Sequence, residues 1–278
     1  MQDLPVNVVI PEKINRRLVV AIGANAFKGC TTLTTIVFPS SLKRIGYEAF
    51  YGCVSLTKIT FSRGLQTIGV CSFAWCKSLK TIVLSDGLQD VLGGAFYHCE
   101  SLTTIRLPGC LQTIGGGAFS WCKSLKAVAL PENLQTIESA TFEYCESLTT
   151  ITLPLGLKRI EYRAFNRCKA LNYIEIPWTV EEIHNSAFGY NNTCLTLCGA
   201  SDSVAEEYAR KNNLRFQTYD GRWFAPVTKR EPPITTNDIH AGNSAGGCDC
   251  VGGAVYFLIT VSLIIAFSVV WEICLALI

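Results

Sequence analysis

The feature that most constrains this chain is a repeat of fixed length. Seven cysteines stand 23 residues apart, each with a phenylalanine three residues before it and a leucine three residues after it. An eighth phenylalanine, Phe188, keeps the spacing where no cysteine follows. The cysteines are Cys30, Cys53, Cys76, Cys99, Cys122, Cys145 and Cys168. Because a period of about 20 to 50 residues is the signature of repeat architectures, the chain is predicted to fold as a solenoid.

The spacing inside one unit predicts its local structure. The unit reads L-x-x-I-x-[LF]-[PS]-x-x-L-x-x-I-x-x-x-[AST]-F-x-x-C-x-[SAT]. Its opening alternation predicts a short strand with one buried face, which the proline that often follows would end. The A-F-x-x-C segment is expected to form a single helical turn with Phe and Cys on one side. One unit cannot bury its own apolar face, so the units should stack at about 4.8 Å per strand.

Blocks such as Leu102–Cys122, LTTIRLPGCLQTIGGGAFSWC, resemble the leucine-rich repeats of the BspA type, which occur in surface antigens. The resemblance extends from about residue 8 to residue 190. It implies a leucine-rich-repeat solenoid, an α/β-type right-handed superhelix of short parallel strands and single helical turns. It also implies attachment to matrix proteins, host cells or other microbes.

Composition divides the chain into four parts. Residues 1–198 hold the 23-residue repeats, and residues 199–219 are predicted to be a C-terminal cap of one helix and a short strand. Ser203 and Glu206 have the spacing of a capping box at the start of that helix. Residues 220–252, which contain three prolines and a Gly/Ser/Asn cluster, indicate a flexible linker. Residues 253–278 form a strongly apolar tail.

The apolar tail predicts a membrane anchor. Residues 254–271 read AVYFLITVSLIIAFSVVW, a run that as a transmembrane helix would nearly span the hydrocarbon core of a bilayer. Cys248 and Cys250 stand just before it and are either without a role or candidate lipidation sites. The small residues before the tail also fit the outline of a cleaved anchor signal.

Nothing in the sequence indicates catalysis. The net charge is +2 at neutral pH, which gives no reason to expect a nucleic-acid partner. The three histidines, His98, His184 and His240, are far apart along the chain, and the motifs of hydrolases, zinc proteases and nucleotide-binding loops do not occur. With every repeat equally long, no inserted loop is expected to build a cleft. We therefore predict a protein that is not an enzyme and needs no cofactor or metal.

Two columns of side chains beside the cysteines are candidate functional features. The cysteines themselves should be buried scaffold, because cysteine packs as a small hydrophobe. The residue before each cysteine gives an aromatic stripe, Trp75, His98, Trp121 and Tyr144, which either shields the turn or forms an adhesive patch. The residue after each cysteine alternates between lysine and glutamate from Lys77 to Lys169, so neighbouring coils should form ion pairs.

The outward positions of the strands form the other candidate surface. Threonines dominate them, interrupted by basic residues. The candidate partner-binding residues are Thr81, Thr104, Arg106, Lys126 and Thr150. A solvated sheet explains the threonines, since threonine favours strands. The alternative is a flat polar surface for a protein or glycan ligand.

The leading hypothesis from the sequence is a non-enzymatic recognition and adhesion protein at the cell surface. Its solenoid would bind macromolecules of host or neighbouring cells, and residues 254–271 would hold it in the membrane. A tail-anchored intracellular scaffold for protein–protein interactions is the alternative, because no export signal is visible and the nearest basic residues lie on the solenoid side of the tail.

Overall fold

The repeats form a β-solenoid in a computed structural model that describes residues 6–191 and 194–219 and the strand at 223–224. Each regular coil contributes one strand of three residues and one of two residues. The three-residue strands are β1 Asn7–Val9, β5 Thr35–Val37, β7 Lys58–Thr60, β9 Thr81–Val83, β11 Thr104–Arg106, β13 Ala127–Ala129, β15 Thr150–Thr152 and β17 Tyr173–Glu175. The two-residue strands are β4 Ala21–Ile22, β6 Arg44–Ile45, β8 Thr67–Ile68, β10 Asp90–Val91, β12 Thr113–Ile114, β14 Thr136–Ile137, β16 Arg159–Ile160 and β18 Glu182–Ile183. The remaining elements are β2 Lys13–Ile14, β3 Arg17–Leu18, β19 Thr196–Gly199, α1 Val204–Lys211, β20 Arg215–Thr218 and β21 Trp223–Phe224.

Parallel, in-register pairing aligns equivalent residues of successive coils. The strands β1, β5, β7, β9, β11, β13 and β15 form one sheet in that order. Thr104 pairs with Thr81 and Ile105 pairs with Ile82, each 23 residues earlier in the chain. The central residue of each three-residue strand from β5 to β17 is buried, while the residue after it is exposed throughout. The sheet therefore has one face in the core and one face in solvent.

The core contains a continuous column of phenylalanine rings. Its members are Phe27, Phe50, Phe73, Phe96, Phe119, Phe142, Phe165 and Phe188. Neighbouring rings are 4.9 to 5.7 Å apart at their centroids and at most 13° from parallel. The expectation that the phenylalanines lie inside the solenoid is confirmed.

The A-F-x-x-C segment is not a single helical turn. In one coil, Cys71 and Trp75 have left-handed φ values of 51° and 64°, which interrupt a right-handed helix. Phe73 N–H donates to Ala95 O of the next coil at 2.8 Å, and Cys76 N–H donates back to Phe73 O at 3.3 Å. Successive N–H groups of the turn therefore alternate, one donating to the next coil and the following one donating within the turn. The predicted helical turn is wrong because bonding between coils replaces helical bonding.

The first coil is longer than the others. Val8 pairs with Ile36, an offset of 28 residues where the later coils have 23. The extra residues form the hairpin of β2 and β3, whose two-residue loop, Asn15 and Arg16, has φ values of 49° and 65°. The expectation of equal repeats therefore fails at this one coil.

Helix α1 covers the last coil of the solenoid. Ser203 Oγ accepts a hydrogen bond from Glu206 N–H, and the Glu206 carboxylate accepts one from Asp202 N–H at 2.7 Å. Tyr208 is buried and meets the ring of Phe188 edge-on at 5.7 Å. Burial raises the pKa of Tyr208 to about 12. The helix thereby ends the phenylalanine column with a ring whose hydroxyl donates to Asn185 O.

The left-handed positions of the turn predict an unusual effect of glycine. Ala140 has φ of 56°, and the equivalent residues of the two preceding coils are Gly94 and Gly117. A left-handed alanine costs about 1–2 kcal/mol, which exceeds the extra chain entropy that glycine loses on folding. We expect Ala140→Gly to stabilise the protein by about 0.5–1 kcal/mol, measured as a shift of the denaturation midpoint.

The matched control for that substitution is Ala164→Gly. Ala164 is fully buried and is not among the left-handed residues. This variant should be destabilised by about 1 kcal/mol or more, because glycine loses a packed methyl group and gains chain entropy in the unfolded state. Destabilisation of similar size in both variants would contradict the left-handed turn.

Candidate functional site

The residues predicted from the sequence fall on two separate surfaces. Thr81, Thr104, Arg106, Lys126 and Thr150 are exposed on or next to the three-residue strands, which we call the strand face. Trp75, His98, Trp121 and Tyr144 are half-buried at the turn, which we call the aromatic column. Each set is brought together by stacking of the coils.

The rings of the aromatic column stack face to face. Trp75 and His98 are 4.0 Å apart at their centroids and 5° from parallel. His98 and Trp121 are 4.7 Å apart, and Trp121 and Tyr144 are 3.8 Å apart. The guanidinium of Arg167 continues the column, lying 5.1 Å from the centre of the Tyr144 ring and 5.0 Å from that of Tyr190. This arrangement leaves mainly ring edges for solvent.

Charged side chains cover the column further. Lys77 lies 4.9 Å from the Trp75 ring and Lys123 lies 5.0 Å from the Trp121 ring. Glu100 pairs with both lysines, at 3.3 and 3.7 Å, and its carboxylate is 3.1 Å from His98 Nδ1.

Burial lowers the pKa of His98, although Glu100 acts in the opposite direction. The imidazole is therefore mostly neutral at neutral pH. A ligand cannot stack on ring faces that are already covered, so the geometry favours shielding of the turn over an adhesive patch.

The aromatic column stands on a strained part of the backbone. Its residues have φ values of 58° to 64°, and the equivalent positions of the first coils are Gly29 and Gly52, both at 72°. A residue with a side chain costs about 1–2 kcal/mol in this conformation. Stacking of a ring on its two neighbours contributes about 0.5–1.5 kcal/mol per pair, which offsets the strain.

Two substitutions of Trp121 separate the stack from the backbone strain. Trp121→Ala should lose about 2–3 kcal/mol of unfolding free energy, because it removes two ring contacts and keeps a strained residue. Trp121→Gly should lose about 1 kcal/mol less, because glycine adopts a positive φ without strain. Denaturant titrations of both variants measure the difference. Equal losses would show that strain does not contribute at this position.

Of the seven cysteines spaced 23 residues apart, which we call the ladder cysteines, Cys30 is half-buried, and the other six are buried and donate hydrogen bonds between coils. The Sγ of Cys76 lies 3.3 Å from Phe50 O, the carbonyl of the preceding coil. The same bond, at 3.1 to 3.3 Å, is made by Cys53, Cys99, Cys122, Cys145 and Cys168. The predicted scaffold role holds, but the sequence did not reveal the bond. Cysteine fits here because it is small and apolar yet carries a donor.

Burial makes these thiols unreactive towards alkylating reagents while the protein is folded. Burial raises the pKa of Cys53 to about 12 and that of Cys122 well above its usual range. An alkylating reagent at pH 8 should modify exposed Cys110 in the native protein and leave Cys53 and Cys122 unmodified, as measured by mass spectrometry of peptides. Rapid alkylation of Cys122 without unfolding would contradict its burial.

The raised pKa of the buried thiols also makes the free energy of unfolding depend on pH. The thiols of the unfolded chain ionise near pH 8.5 while the folded thiols stay protonated. The stabilisation is therefore complete below about pH 8.5 and is lost as pH rises towards the higher folded values. Cys122→Ala should reduce this alkaline loss of unfolding free energy. If the unfolding free energy of that variant falls with rising pH as steeply as that of the parent protein, the thiol does not contribute to the loss.

The strand face consists of in-register rows of free polar groups. Thr103 Oγ1 and Thr149 Oγ1, just before their strands, donate to the carbonyls of Lys80 and Lys126 at 3.1 Å and so help to join the coils. Within the described part of the chain, by contrast, no side-chain hydrogen bond engages the hydroxyls of three outward threonines of the later strands, Thr81, Thr104 and Thr150. These hydroxyls remain available to solvent or to a partner.

Other candidate groups do not converge. His184 Nδ1 accepts from Ser186 N–H at 3.1 Å and its ring meets Tyr162 edge-on. The described residues contain no group of three or more His, Cys, Asp or Glu side chains that could hold a metal ion. His240, Cys248 and Cys250 lie outside the described residues.

The predicted membrane segment also lies outside the described residues. The segment 254–271 belongs to the residues that the structure does not describe. Among those that it does describe, no helix has the length and apolar character needed to cross a membrane.

Comparisons with known proteins match the repeats. A profile of the BspA type leucine-rich repeat region matches residues 6–114 and 89–208, in six copies. No curated protein matches the sequence.

Three solved structures resemble the solenoid. A leucine-rich repeat protein of T. pallidum is 33% identical, with a TM-score of 0.56, over 60% of this chain and 78% of its own. One from Bacteroides ovatus is 29% identical, with a TM-score of 0.56, over 77% of this chain and 60% of its own. A leucine rich cell surface protein of Faecalibacterium prausnitzii is 28% identical, with a TM-score of 0.51, over 82% of this chain. The present chain spans only 56% of that last protein.

Proposed function

Since the chain belongs to the BspA-type leucine-rich repeat family, we propose that it is a non-enzymatic recognition module displayed at the cell surface. Its strand face binds a macromolecule of another cell or of a matrix. The apolar segment 254–271 holds it in the membrane, and the residues before that segment act as a stalk.

The availability of the strand face carries this proposal. The core columns are buried, and the rings of the aromatic column cover one another. The strand face instead presents free polar groups on or next to strands of one sheet, at Thr81, Thr104, Arg106, Lys126 and Thr150. Repetition of similar groups at each coil suits a partner with repeating features, which it would bind through several modest contacts. Similarity to a protein described as a leucine rich cell surface protein supports the location.

The location is tested by labelling intact cells that produce the protein. An amine reagent that cannot cross membranes should label lysines of the solenoid, such as Lys126, without permeabilisation. A cytoplasmic protein of the same cells serves as the control for leakage. Labelling that requires permeabilisation would overturn display at the surface and would favour the intracellular, tail-anchored scaffold.

The binding face is tested by replacing three of its residues together. Thr104→Ala, Arg106→Ala and Lys126→Ala should weaken attachment to partner cells at least tenfold, because they remove polar contacts from the centre of the strand face. A matched triple variant changes residues of the two-residue strands or next to them, which are exposed (Thr113 and Arg159) or half-buried (Lys158). That control should attach normally.

Both triple variants should keep the circular dichroism and thermal unfolding of the parent protein. If the strand-face variant attaches as well as the parent, the strand face is not the binding surface. Loss of attachment in Trp75 or Trp121 variants that remain folded would then assign binding to the aromatic column.

A further inference from the structure

The strand face carries one cation on each of four consecutive coils. Lys58 lies in β7, Lys80 immediately precedes β9, Arg106 ends β11 and Lys126 immediately precedes β13. All four are exposed. None of them has a carboxylate within 4.0 Å among the residues that the structure describes. We call these four residues the cation row.

Cations elsewhere on this solenoid are commonly paired between coils. Lys28 pairs with Glu48, Lys158 with Glu181 at 2.6 Å, and Lys169 with Glu146 at 3.2 Å. A carboxylate on the strand of a neighbouring coil could neutralise the cation row in the same way. The outward positions from residue 34 to residue 152 contain no aspartate or glutamate. The unpaired positive charge is therefore a property of this face.

The geometry of the cation row fits a linear anion. Stacked strands are about 4.8 Å apart, so four coils space the cations over about 14 Å along the solenoid axis. Lys58 aligns with Thr81, and Thr104 pairs with both Thr81 and Ala127, so two free hydroxyls follow Lys58 at the same strand position. Lys80 and Lys126 lie one residue before that position, and Arg106 lies two residues after it, so the cations form a staggered band. A chain that lies across the strands would meet both cations and hydroxyls.

The rest of this surface narrows the class of partner. Its outward residues over these four coils include no aromatic side chain, and alanine occupies both outward positions of β13. Protein interfaces generally need aromatic or large apolar anchors, and single-stranded nucleic acids need ring faces for base stacking. A polysaccharide that carries sulfate or carboxylate groups needs neither, since its anions bind cations and its hydroxyls bind hydroxyls.

We propose that the strand face binds a sulfated polysaccharide that lies along the cation row, across β7, β9, β11 and β13. This inference rests on the proposed function, because it names the partner class of the same face. Binding is electrostatic in large part and falls with ionic strength, as it does for other linear polyanions.

Titration of the full chain with size-defined heparin oligosaccharides tests the proposal. The quadruple variant Lys58→Gln, Lys80→Gln, Arg106→Gln and Lys126→Gln should bind at least 30-fold more weakly. The slope of log affinity against log salt should fall by roughly one for each cation removed, about three to four in total. The control variant Lys43→Gln, Arg44→Gln, Lys158→Gln and Arg159→Gln removes the same charge from exposed or half-buried positions off the strand face. It should bind within threefold of the parent protein.

Other probes identify the class of anion. Desulfated heparin, polyglutamate and a single-stranded oligonucleotide of equal charge should each bind at least tenfold more weakly than heparin. Polyglutamate that binds as tightly, with the same loss in the quadruple variant, would replace the polysaccharide by an acidic protein. An oligonucleotide that does so would replace it by a nucleic acid. Equal affinity of the two quadruple variants for heparin would show that the cation row is not the binding site.

A cell assay separates this inference from the proposed function. Enzymatic removal of sulfated glycans from partner cells should abolish attachment of the parent protein. If attachment persists but still depends on Thr104, Arg106 and Lys126, the strand face recognises a different partner. In that case the polysaccharide is wrong and the recognition module stands.

Discussion

The structure depends on in-register bonding between coils 23 residues apart. Strands pair residue for residue, and the turn adds a further set of bonds, since Phe50, Phe73 and Phe96 each donate their N–H to the following coil at 2.7 to 2.9 Å. The ladder thiols add bonds in the opposite direction, to the coil before. Each side-chain type therefore repeats along a column, and the chemistry of a column is decided by where its position lies on the coil.

The same constraint explains why one surface is free and another is not. At the turn, equivalent residues are close enough for their rings to stack, so the aromatic column satisfies itself and stabilises left-handed residues. On the strand face, threonines and basic residues project into solvent, and equivalent cations cannot satisfy one another. The stacked rings thus leave no ring face for a ligand between them, whereas the unpaired cations can still bind an anionic partner.

Much of the solenoid follows from the sequence, and the reason is physical. The spacing of Phe and Cys fixes the period and shows which residues face the core, because a buried position accepts few residue types. The turn conformation could not be predicted, since Cys71, Trp75 and Ala140 are residues that seldom adopt a positive φ. The hairpin at Asn15 was missed because the apolar pattern after it resumes in register. The cation row could not be predicted because Lys58, Lys80 and Arg106 occupy different positions of the repeat and come onto adjacent strands only once the coils are stacked.

Hydrogen–deuterium exchange of the turns tests the stacking of coils most directly. If the coils are stacked as described, peptides that cover residues 71–76 and 94–99 exchange as slowly as the three-residue strands, since their alternate amides are bonded to the next coil. Exchange of those turns within seconds in the folded protein, while the strands stay protected, would contradict the bonding on which the columns depend.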